Sequence, residues 1–95
     1  MSKIVYTEID ASTATSQNVT TEPANLHAVW VSTVLSAHTV TINDGAGGTN
    51  INTLAASAAV GDKVEGYGIT MESGINLGCN ALGTGKVIVA WSTAV

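Results

Sequence analysis

Along most of this chain apolar and polar side chains alternate with a period of two, which fits a pleated strand and not a helix. Residues 39–44 (TVTIND) put Val40 and Ile42 on one face and Thr39, Thr41 and Asn43 on the other. Residues 26–36 (LHAVWVSTVLS) and 86–93 (KVIVAWST) carry apolar residues on both faces. That pattern predicts two strands in central sheet positions, covered on either side. The composition agrees: Thr, Val, Ala, Ser and Gly dominate, and β-branched side chains are stiff at χ1 and favour a pleated surface.

Turn residues divide these runs. Asp44-Gly45 followed by Gly47 and Gly48 ends the second strand and reverses the chain. Residues 69–71 and 75–77 flank Glu72, Ser73 and Gly74, where glycine takes the left-handed conformation of a hairpin turn cheaply. Gly83 to Gly85 makes the last reversal. Residues 49–54 read as a short strand, 55–59 as the one piece able to form a helical turn though too short to stand as a helix alone, and 60–67 as a short strand or loop. The Ser/Thr-rich stretch 11–21 can point Val19 into a core, and Pro23 stops pairing before the strand at Leu26. Seven or eight strands at this spacing predict an all-β fold, a single antiparallel two-sheet β-sandwich of the jelly-roll kind. With 95 residues there is room for one such domain, expected over residues 11–95, preceded by an N-terminal arm or edge strand over 1–10.

Charge narrows the function classes. The cations are Lys3, Lys63 and Lys86, there is no arginine, and seven carboxylates bring the net charge to −4. Nucleic-acid binding needs clustered cations to neutralise phosphates, and docking on anionic lipid needs the same. Neither partner is expected. No run approaches the roughly 20 apolar residues of a membrane helix. The N-terminal segment, interrupted by Glu8 and Asp10, lacks the apolar run of a signal peptide, so synthesis in a cytoplasm is expected.

Candidates for chemistry are few. Cys79 is the single cysteine, which rules out an intrachain disulfide and a multi-thiolate zinc site, and next to Leu77 it reads as a small buried hydrophobe. His27 and His38 stand eleven positions apart with no third ligand at metal spacing, so surface or partly buried hydrogen-bonding roles are expected for both. No signature joins Cys79 or a serine to a base and an orienting group. Residues 83–86 (GTGK) resemble the end of a phosphate-binding loop, but Asn80 stands where the first glycine belongs and Val87 where the hydroxyl belongs. The aromatics are Tyr6, Trp30, Tyr67 and Trp91, too few for an obvious sugar cleft, and both tryptophans lie in the most apolar strands, where core packing is expected. The reading is therefore of a protein without catalytic residues, metal ligands or cofactor.

Residues 42–45 (INDG), 51–54 (INTL), 67–74 (YGITMESG), 75–79 (INLGC) and 85–91 (GKVIVAW) together resemble a family of small β-sandwich proteins encoded among the virion genes of tailed bacteriophages. The likeness runs from Val19 onward, about three quarters of the chain, as a pattern of strands, turns and glycines. Members of this kind resemble head decoration (cement) proteins and head or tail fibre modules. The resemblance implies a structural virion protein on the capsid surface, made in the host cytoplasm, with the major capsid protein or further copies of itself as partner. The alternative it implies is a carbohydrate- or receptor-binding module of a fibre. It carries over no individual functional residue.

The segment 2–10 is the candidate assembly element. As an extended chain it sets Ile4, Tyr6 and Glu8 on one side and Lys3, Val5, Thr7 and Ile9 on the other. Apolar residues on both sides are a liability for a lone exposed strand, so Ile4, Tyr6 and Ile9 are candidate assembly contacts by strand addition. The alternative is an ordinary first strand of its own domain.

Overall fold

The computed structural model describes residues 3–94. Eight strands follow one another: β1 (Val5–Asp10), β2 (Ser16–Thr20), β3 (Ala24–Thr33), β4 (Val40–Asp44), β5 (Asn50–Leu54), β6 (Lys63–Met71), β7 (Ile75–Cys79) and β8 (Lys86–Thr93). Pairing is antiparallel throughout and joins β1 to β8, β2 to β7, β3 to β6 and β4 to β5. The chain is thus one long ribbon doubled back at the β4–β5 turn. Rolling that ribbon lets β8 also pair with β3 and β7 with β4. The result is two four-stranded sheets, β1-β8-β3-β6 and β2-β7-β4-β5, packed as a jelly-roll sandwich.

Alternation decides what lies between the sheets. Leu26, Val29, Val31, Val87 and Val89 from the first sheet meet Val40, Ile42, Ile75 and Leu77 from the second. The two strands with apolar residues on both faces, β3 and β8, occupy the centre of their sheet. Val19 and Cys79 are half-buried against the same core.

The two outer faces differ. On the β2-β7-β4-β5 sheet, the Asn43 amide donates to Asn76 Oδ1 at 3.2 Å, and the Asn76 amide donates to Asn18 Oδ1 at 2.9 Å and Ser16 Oγ at 3.1 Å. This ladder satisfies the buried Asn76 from the two strands that flank β7. On the other sheet, register places Tyr6, Ala90 and Ala28 in one row and Ile88 and Trp30 in the next, with Glu8, Lys63 and Glu65 around them. That outer face is a half-buried apolar stripe with a charged rim.

Three expectations need correction. Residues 55–59 form no helical turn; they make a loop with Ser57 at φ 59°, tied down where Leu35 N–H donates to Ala58 O at 3.0 Å and Ser57 N–H to Ser36 O at 2.8 Å. The separate elements read at 60–67 and 69–71 are one strand, β6, bent by a bulge that alternation cannot register. Trp30 is half-buried on the outer stripe and outside the core, because it alternates with the inward Val29 and Val31.

Candidate functional site

Of the nominated residues, Tyr6 and Ile9 fall on one edge strand, β1, and Ile4 comes just before it. β1 pairs with β8 through six consecutive partners, Val5 with Trp91 to Asp10 with Lys86, without a register shift. Its other side has no strand partner among the described residues. Ile9 points inward and is 8 % exposed, so it belongs to the core and is unavailable as an assembly contact. Tyr6 faces out at 75 % exposure, and Ile4, just before the strand, is 62 % exposed. Met1 and Ser2, the start of the expected arm, lie outside the described residues. Thr7 accepts a hydrogen bond from Trp91 Nε1–H at 3.1 Å, tying β1 to β8 at its end. The Lys86–Glu8 pair, 3.7 Å apart and exposed, adds little. At the C-terminal end of β1, Ser12 donates to Asp10 Oδ1 from its backbone N–H (2.9 Å) and its hydroxyl (2.6 Å), holding that carboxyl below its ordinary value.

The other edge strands are interrupted. In β2, Val19 is an extra residue opposite β7, and in β5, Ile51 is an extra residue opposite β4. In β6 the register steps from Leu26–Ile69 to Ala28–Glu65, so Gly66, Tyr67 and Gly68 all stand opposite His27. Bulges of this kind break the ladder and turn the edge away from a neighbour. β1 alone among the four edge strands keeps an unbroken register.

The histidines are placed apart. His27 Nε2 shares a hydrogen bond with Ser92 Oγ at 2.9 Å, and its ring is half-buried. His38 lies deeper than the expected surface or partly buried position: it is 1 % exposed, beneath the turn at Gly83. Its Nδ1 lies 3.0 Å from Ser36 Oγ, the spacing of a nucleophile–base pair. Yet Ser36 Oγ already accepts from Thr84 N–H at 2.9 Å, and among the described residues His38 Nε2 has no partner and no third group orients the ring as a triad requires. The pair reads as a fastening between the 34–39 loop and the closing turn. Burial pushes the Cys79 thiol up, away from the thiolate a nucleophile needs. Among the described residues, no three of His, Cys, Asp and Glu gather as metal ligands.

Sequence reading missed the opposite side of the sandwich. Between β5, the 55–62 loop and β6 lies a cleft of about 520 Å³ with Tyr67 at its margin. The one signal for it was the run Gly66-Tyr67-Gly68, two glycines around an aromatic within a strand. Comparison with known proteins found no matching family model and no matching curated protein.

Proposed function

We propose that this protein is a non-catalytic structural component of a virion, a decoration (cement) protein on the outer surface of a phage head, with the major capsid protein or further copies of itself as partner. The observation that carries the reading is the β1 edge, unbroken over six residue pairs and with no further strand on its outer side among the described residues. Main-chain groups there offer strand addition, while Ile4 and Tyr6 supply apolar anchors. The edge continues into the apolar stripe of Ala90, Ala28, Ile88 and Trp30, rimmed by charge as protein interfaces are. The strand-and-turn resemblance to phage virion proteins supports the choice of partner, and an acidic, arginine-free surface avoids adhesion to DNA.

The test is a stained gel of purified particles. Decoration requires a copy number comparable with that of the major capsid protein. A small fraction of that number points to the fibre module instead, and absence from particles overturns both. Tyr6→Lys, which blunts the edge with a charge, is expected to leave the domain folded and to abolish decoration. A Tyr6→Lys variant that decorates at full occupancy removes the β1 edge from the reading.

A further inference from the structure

We propose that the cleft between β5 and β6 binds a neutral saccharide, with the Tyr67 ring as its stacking platform. Tyr67 is a residue that folding alone does not explain. Tyr67 sits at φ 55°, a left-handed conformation that disfavours any residue with a Cβ, and Gly68 follows at φ 71°. Its side chain is 86 % exposed, so burial does not offset that strain. Glycine would serve the bulge better at this position, as it does on either side. Gly66 is needed because an added Cβ would lie 2.4 Å from Leu26 O. A strained residue kept at the margin of a cleft is an observation from which function can be inferred.

The cleft fits a polyol. Its volume, about 520 Å³, lies within the range of small-molecule sites. Leu54, Ala58 and Val64 are buried beneath it and provide an apolar floor. Around them Asn52, Thr53, Asp62, Lys63 and Glu65 present the donors and acceptors that hydroxyl groups match. Asn52 Oδ1 accepts from Thr53 N–H at 2.8 Å, which fixes the side-chain amide and leaves its NH₂ without a partner among the described residues. Charge selects neutrality. Lys63 Nζ is 2.7 Å from Glu65 Oε1 and is spoken for, while Asp62 adds a negative charge, so a phosphate or uronate meets net repulsion. The C–H face of a pyranose is weakly positive and packs on the negative face of an aromatic ring. This site lies at the β6 edge, across the first sheet from β1, and shares with the rim of the outer stripe only Lys63 and Glu65.

The test is a titration of the full chain, followed by amide NMR, with maltotriose, chitotriose and mannotriose, and with trigalacturonate as the anionic counterpart. At least one neutral trisaccharide is expected to shift the amides of residues 52–55 and 62–68, and trigalacturonate is not. Tyr67→Gly is expected to keep or raise the melting temperature while weakening binding about tenfold or more, and Tyr67→Phe to retain it. The proposal is overturned if no neutral trisaccharide moves those amides, if trigalacturonate binds equally well, or if Tyr67→Gly binds as the natural chain does.

Discussion

β1 and β6 are the two edges of one sheet, and they handle the same physical problem in opposite ways. Each presents a row of main-chain groups that invites a further strand. β6 interrupts that row with Gly66, Tyr67 and Gly68, which twists the strand out of line opposite His27. β1 makes no such interruption and places Ile4 and Tyr6 in solvent beside its open ladder. The irregular edge gains a cleft and an exposed ring, features for a small ligand. The regular edge keeps a template, a feature for another chain. An edge strand left regular where its three counterparts are bulged identifies the place to look for a macromolecular partner.

The largest expected effect breaks the bulged edge. In Gly66→Ala the new Cβ would meet Leu26 O at 2.4 Å and Leu26 Cγ at 2.6 Å, so the strand must shift against the core. Chemical denaturation is expected to show a loss on the order of 3 kcal/mol, the upper part of the range for overpacking. A Gly66→Ala variant as stable as the natural chain would mean that the bulge is not built as described.

Next comes the inward side of β1. Ile9→Ala removes a buried side chain beside Val87 and is expected to cost roughly 2–3 kcal/mol, whereas an outward change at Tyr6 stays within about 0.5 kcal/mol. Equal losses at Ile9 and Tyr6 would show that the outward ring already serves the fold, and the edge would no longer count as free.

The smallest effect lies at the end of β1. Asp10 titrates below its ordinary value of 3.8 because Ser12 donates to its carboxylate. Its contribution to stability is therefore complete above the unfolded-state value and is lost as pH falls through the folded one. Asp10→Asn is expected to flatten the melting temperature against pH below about 4 and to leave its shape near neutrality unchanged. An unaltered acid limb would show that the Ser12 contacts do not hold in solution.

Much of the fold could be read from local pattern. β4 alternates cleanly and β8 is apolar on both faces, and the observed bounds of both match the residues read as strands to within a residue. The turn at Gly74 was legible because a φ of 96° there selects glycine. What was missed has a shared cause. Alternation assumes a flat ladder, so the insertion in β6 split one strand into two apparent elements. It also left Tyr67 unassigned, since its meaning depends on β5 lying across the cleft. His38 read as a surface or partly buried residue because nothing nearby in sequence announces that Gly83 and Ser36 close over it; Gly83 lacks the Cβ that would strike the ring 2.2 Å away. Ile9 was grouped with Ile4 and Tyr6 because an isolated strand does not say which of its faces meets a core.

The sequence by itself determined an all-β sandwich, its turns and the two central strands, because period and turn chemistry act between near neighbours. Only the tertiary structure decided which edges stay open, which aromatic faces water and which histidine is sealed in. Those outcomes depend on pairing between residues as far apart as Val5 and Trp91, and on the extra residues that break such pairing elsewhere.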